Sequence, residues 1–165
     1  MKNRFASTLL IACCLGSTVC AQTSMPDRSR PAGFRDDVLG LGFTAGPAGG
    51  LGISFRHHLR TPFSYQITGG IIKADKRLMY DLGAEIQYDF SRSPDARYYV
   101  GGATGYFFSG QTARNDMAGP GRLGFGLGGE FTVSPTLCGA VELLFTYFTD
   151  GTILPLPQAG IYYYF

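Results

Sequence analysis

From Val38 to Phe165 the chain alternates between apolar and polar positions with period two, in stretches separated by clusters of Gly, Pro, Asp and Ser. The clearest stretch is Leu78–Phe90. Leu78, Tyr80, Leu82, Ala84, Ile86, Tyr88 and Phe90 share one face, and Met79, Asp81, Gly83, Glu85, Gln87 and Asp89 share the other. A helix would scatter those acids around its axis, so the stretch is a strand. Arg122–Val133 repeats the pattern, with Leu123, Phe125, Leu127, Phe131 and Val133 against Arg122, Gly124, Gly126, Gly128, Glu130 and Thr132. Leu137–Tyr147 does so again, with Leu144 as an apolar exception on the polar face. Val38–Ala48, Gly50–Leu59, Phe63–Ala74, Arg97–Ser109 and Ile153–Phe165 are weaker strands and bring the total to eight. Arg97–Ser109 alternates poorly and its two faces are left unassigned. Eight short strands in sequence predict an all-β, antiparallel up-and-down barrel over residues 38–165.

The connections agree with that order. Ser91–Ala96 and Ser134-Pro135-Thr136 are short and rich in turn formers. Both fall on the side of the N-terminus, which is periplasmic if the barrel sits in an outer membrane. The longest connection, Gly110–Gly121, falls on the opposite side. It and Asp150–Pro157 are the expected surface-exposed parts.

The two faces decide which solvent surrounds the barrel. A soluble barrel keeps its bulky apolar face inside. Here the polar face is dominated by Gly, and eight strands enclose a lumen only wide enough for side chains. The bulky face is therefore assigned to lipid, where a closed barrel leaves no backbone group unpaired. Ile86, Leu127 and Leu143 are expected to meet hydrocarbon, and Gly126 to be a lumen position that accepts Ser. Phe63, Tyr65, Tyr88, Phe90, Phe131, Tyr163 and Phe165 fall near one rim, and Tyr80, Phe108, Phe145 and Tyr147 near the other, as two interfacial girdles. The same parity points Arg56, Asp81, Glu85, Arg122, Glu130 and Glu142 inward, together with Asp89. Charges in a narrow lumen must pair or reach water, so these residues are expected to form a structural network. Arg56 and Arg122 are the expected partners of the glutamates.

Residues 1–21 read as a cleaved secretory signal, with Lys2 and Arg4, the apolar core Phe5–Leu15 and a cleavage site at Val19-Cys20-Ala21. Leu10-Ile11-Ala12-Cys13 also fits a lipoprotein processing site, which would place an acyl chain on Cys13. Residues 22–37 read as a flexible periplasmic segment. Without the signal, basic and acidic residues are equal in number and no basic run remains, so nucleic-acid binding has no electrostatic footprint. Cys138 is then the sole cysteine, and no Cys/His cluster has metal-ligand spacing. Neither metal nor cofactor is expected.

Strand count, alternation and the terminal Ile161-Tyr162-Tyr163-Tyr164-Phe165 together resemble the small outer-membrane β-barrel proteins. That group is typified by the membrane domain of outer membrane protein A and by outer membrane protein X. Gln66-Ile67-Thr68-Gly69-Gly70, Tyr99-Val100-Gly101-Gly102 and Gly124–Glu130 look like segments of uncharacterised barrels of this group. The resemblance implies an assembly signal at Ile161, Tyr163 and Phe165, read by the barrel-insertion machinery. It implies a monomer among outer-membrane lipid and lipopolysaccharide.

Some similar barrels are lipid A deacylases that use Ser, His and an acid. Here the two histidines, His57 and His58, end a strand on the periplasmic side, whereas the deacylases work at the outer leaflet. The palmitoyl-transferring barrels also need an outer-side histidine. The Gly-rich runs Gly46–Gly52 and Gly119–Gly129 lack the Lys and following helix of a phosphate loop. The expected function is a non-enzymatic outer-membrane protein with a structural or surface-interaction role. A lipid-modifying enzyme and a narrow solute or ion channel are the alternatives.

Overall fold

The computed structural model describes residues 35–74, 77–93, 95–111 and 121–165. Residues 1–34, which hold the expected signal and most of the expected periplasmic segment, lie outside the described residues, as do residues 112–120 of the long connection. Eight strands form one closed antiparallel barrel. They are β1 (Val38–Gly46), β2 (Gly50–His58), β3 (Phe63–Ala74), β4 (Arg77–Arg92), β5 (Ala96–Gln111), β6 (Gly121–Ser134), β7 (Leu137–Phe148) and β8 (Ile153–Tyr164). Each pairs with its neighbours in sequence, and β8 closes on β1 from Gly40↔Tyr164 to Ala45↔Ala159. Both ends of the barrel domain lie at one rim, called here the terminal end. The opposite rim is the far end.

The alternation of the sequence becomes the inside and outside of the wall. In β4, Asp81, Gly83, Glu85, Gln87 and Asp89 are buried, while Leu82, Ala84, Ile86, Tyr88 and Phe90 are exposed. β6 and β7 follow the same rule, and Phe125, Leu127, Leu143 and Phe145 are each at least half exposed on the outer face. Leu144, the exception in β7, does point inward and is fully buried against Ala48 and Ala103. β5 resolves into Arg97, Tyr99, Gly101, Ala103 and Gly105 inside, with Tyr98, Thr104 and Tyr106 outside.

Three sequence expectations need correction. Ile153–Pro157 belong to β8 and pair with β7 from Tyr147↔Ile153 to Leu143↔Pro157, so the exposed connection there shrinks to Thr149–Thr152. Gly126 is not a tolerant position. A Cβ there would run into the backbone carbonyl of Leu143 on the neighbouring strand, because the two backbones approach closely. The third concerns β1, which stops at Gly46 rather than Ala48. The turn Pro47-Ala48-Gly49 folds into the far mouth of the lumen. Ala48 is fully buried, and the Gly49 N–H donates to Gln158 Oε1 of the adjoining β8 at 2.9 Å. Gly50 (φ 99°) and Gly52 (φ 148°) supply the inward bend in conformations that side-chain-bearing residues rarely adopt. A Cβ on Gly124 would stand 2.6 Å from the Ala48 methyl, so the opposite wall must be bare for the turn to fit.

At the terminal end the last residues of the N-terminal segment are tied to the wall. Asp36 pairs with Arg92 at 3.0 Å. Asp37 pairs with His57 and Arg60, each at 3.1 Å. The hydrogen bond from His57 holds the Asp37 carboxyl below its ordinary range, with Arg60 adding to the effect.

Candidate functional site

The chemistry-bearing side chains of the described residues converge inside the barrel, and Glu130 is their centre. It comes from β6 and is fully buried. Arg56 Nη1 of β2 donates to its Oε2 at 2.7 Å, and Arg97 Nη2 of β5 donates to the same oxygen at 2.8 Å. Tyr164 of β8 donates its hydroxyl to Oε1 at 2.6 Å. Four strands from around the wall thus meet on one carboxylate. Arg97 reaches on to Asp89 at 2.8 Å and to the Gln87 carbonyl oxygen at 2.9 Å, both on β4. Arg56 reaches Gln66 of β3 at 2.9 Å through Nε, and Glu142 of β7 at 3.2 Å. The guanidinium of Arg56 lies over the Tyr162 ring at 4.0 Å, and that of Arg97 over Tyr99 at 4.8 Å.

Nearer the far end neutral donors reach Glu85 and add to the Arg56 contact on Glu142. Gln158 Nε2 donates to Glu85 at 2.9 Å and to Glu142 at 2.5 Å, bridging β4 and β7. Gln87 donates to Glu85 at 2.7 Å, and the Tyr99 hydroxyl donates to Glu142. The far mouth is framed by Asp81 and Arg122, paired at 2.6 Å.

All seven charges that parity points inward, Asp89 among them, are buried in the lumen, but the partners differ from those expected. Arg122 pairs with Asp81 and with none of the three glutamates. Glu85 is held by amides. The missing cation is Arg97, which has 1% relative exposure and was hidden in the one strand whose faces the pattern did not separate. Alternation puts Gln87 on the inward face without giving it a partner, whereas Gln66, Gln158 and the hydroxyls of Tyr99, Tyr162 and Tyr164 receive no such assignment. Strict parity applied to β8 would have found its two tyrosines, since Tyr162 and Tyr164 stand opposite the outward Ile161 and Tyr163.

One arrangement has the outline of a nucleophile, base and acid. Ser64 Oγ lies 2.8 Å from His58 Nδ1, and His58 Nε2 lies 3.8 Å from Glu130. Its chemistry is already spent on structure. Ser64 Oγ also accepts from Arg97 at 3.0 Å, and His58 Nε2 is bonded to the Tyr164 hydroxyl at 2.7 Å. All three residues are buried, at no more than 2% relative exposure, so no ester carbonyl can reach the hydroxyl. What the lumen can do is join strands: a network of guanidinium, carboxylate, amide and phenol groups fills it and holds the wall in one shape.

No protein-family model matches the sequence, and no curated protein does either. Solved structures match its fold. The N-terminal β-barrel domain of Pseudomonas aeruginosa OprF superposes with a TM-score of 0.52 at 14% identity, over 79% of this chain and 98% of that one. Ail, the attachment invasion locus protein of Yersinia pestis, superposes with a TM-score of 0.50 at 10% identity, over 79% of this chain and 99% of that one. The chain has the fold of the small eight-stranded outer-membrane β-barrels.

Proposed function

We propose that this chain is a non-enzymatic integral protein of a bacterial outer membrane, sealed along its axis, with a structural or surface-interaction role. The observation that carries this reading is the inversion of the barrel: charged and amide side chains are buried inside while large apolar side chains cover the outside. A soluble protein rarely exposes so continuous an apolar belt, and hydrocarbon is the solvent that makes it favourable. With the terminal end in the periplasm, Phe63, Tyr88, Phe131 and Tyr163 lie at one membrane interface and Tyr80, Phe145 and Tyr147 at the other.

Against a channel stands the filling of the lumen. Arg56, Arg97, Tyr99, Tyr162, Tyr164 and Leu144 each have at most 1% relative exposure. Against a lipid-modifying enzyme stands the burial of Ser64 and His58 at the terminal end. The test is single-channel recording of the folded protein in a planar bilayer. No unitary steps are expected, and stable, reproducible conductance steps would overturn the sealed-lumen reading.

Assembly gives a second expectation. Ile161, Tyr163 and Phe165 are about half exposed or more on the outer face of the closing strand. The Phe165 N–H donates to the Leu39 carbonyl at 3.1 Å, next to the seam with β1. Deleting Phe165 should lower the amount of heat-modifiable folded protein in the outer membrane while signal cleavage proceeds as before. Folded yield equal to that of the parent would remove the assembly role from the terminus.

A further inference from the structure

The lipid-facing wall is not even. β2 pairs with β3 only as far as Ile53↔Gly69, because beyond that point the first hairpin bends into the lumen. β3 continues to Ala74, paired with β4 alone on its other side. The wall therefore steps inward in its far half and leaves an outward groove of about 900 Å³. That volume is within the usual range of small-molecule sites, roughly 300–1,000 Å³. Phe43, Ile53, Ile71, Tyr80, Leu82 and Phe108 line it. Gly69 lies in its floor, and a Cβ added there would meet nothing within 4 Å, so the floor is open space rather than packed wall.

A cation stands at the upper end. Lys73 follows Ile71 by two positions on the same face of β3 and is exposed. The groove is continuous with the apolar belt below and ends in positive charge above. That is the polarity of one lipid molecule: chain below, anionic headgroup at the rim.

We propose that this groove is a selective site for a phospholipid of net negative headgroup charge in the surrounding leaflet, one acyl chain lying along Ile53, Ile71 and Leu82 and the anionic headgroup at Lys73. The assignment rests on the membrane-barrel reading above. It goes further by giving one side of the barrel a preferred lipid instead of a uniform annulus. A cation at a membrane surface favours an anionic headgroup by roughly fivefold in occupancy.

The chain contains no Trp, so a single introduced Trp is an uncontaminated reporter. Tyr80→Trp places it in the groove, and Phe145→Trp places it on the outer face of β7. Each variant is folded into vesicles of phosphatidylcholine and phosphatidylglycerol, with one or the other lipid dibrominated. Quenching of the Trp then gives the relative affinity of the two lipids at each position. At position 80 phosphatidylglycerol should be favoured roughly fivefold, and at position 145 the ratio should be near one. Adding Lys73→Gln should bring the ratio at position 80 close to one. Adding Gly69→Phe should fill the floor and reduce quenching there by either lipid. Equal ratios at the two positions, a preference that survives Lys73→Gln, or quenching unaffected by Gly69→Phe would overturn the site while leaving the barrel reading intact. A chain that never becomes heat-modifiable in vesicles would overturn both.

Discussion

Glu130→Gln is expected to cost about 3–5 kcal/mol of folding stability, the usual loss when one partner of a buried ion pair is removed. The substitution keeps the shape of the side chain and removes its charge. Arg56 and Arg97 both donate to Oε2 of Glu130, and neither guanidinium can reach water. Arg97 retains Asp89, but Arg56 is left with Glu142 at 3.2 Å and the neutral Gln66. The new amide would also present N–H groups where an acceptor is needed, so one donor faces another. A urea titration of the barrel in lipid vesicles, read by gel mobility of the unheated sample, measures the loss. Asp81→Asn is the comparison. Asp81 and Arg122 sit at the far mouth with side-chain exposures of 8% and 7%, so water can take over part of the lost interaction and the cost should be smaller. A Glu130→Gln loss below about 1 kcal/mol, the scale of a surface pair, would mean that the lumen network is not what holds the wall together.

The other large effect concerns the outside. Leu127 of β6 is 62% exposed and sits mid-strand, paired with Val100 on one side and Leu143 on the other. Leu127→Arg should cost about 2–4 kcal/mol in a bilayer, the penalty for a cation near the midplane of a barrel's lipid face. In water the same substitution would be close to neutral, since exposed positions tolerate charge. The control on the inner face cannot be Gly126, where any side chain meets the β7 backbone. Thr146→Ser serves instead: it removes one methyl from a buried lumen position and should cost about 1 kcal/mol. Refolding equilibria in vesicles give both numbers. Equal losses at the two positions would mean that the outer face is not in hydrocarbon.

Most of the wall was legible because period two is a local signal. β4 carries it without interruption, and β6 and β7 nearly so. β5 concealed itself because aromatic and small residues occur on both of its faces: Tyr98 points out and Tyr99 in, Gly102 out and Gly101 in. Arg97 could be placed only through its register with Glu130, a long-range pairing that no single strand reveals. The network was half legible for the same reason. Parity identifies which charges face inward, but which ones meet depends on stagger between strands far apart in sequence. Parity alone leaves Arg122 facing the glutamates, whereas in the folded chain it meets Asp81. The inward tuck of the first hairpin escaped because alternation continues through Thr44-Ala45-Gly46 without marking where the strand leaves the wall.

That tuck bears on how the protein would tolerate foreign sequence. Connections at the far rim are the natural places to splice in an epitope, and sequence position alone would make Pro47-Ala48-Gly49 as good a choice as any. Its residues are spent inside: Ala48 is packed against Ala103 and Leu144, and Gly49 is bonded to Gln158. A guest peptide there would have to drag the turn out of the mouth or be pulled in after it. The Thr149–Thr152 turn is its opposite. It is exposed, Asp150 accepts from the Thr152 N–H at 2.9 Å within the turn itself, and none of its four residues enters the lumen. Grafts belong on that turn, where lengthening the chain disturbs nothing below.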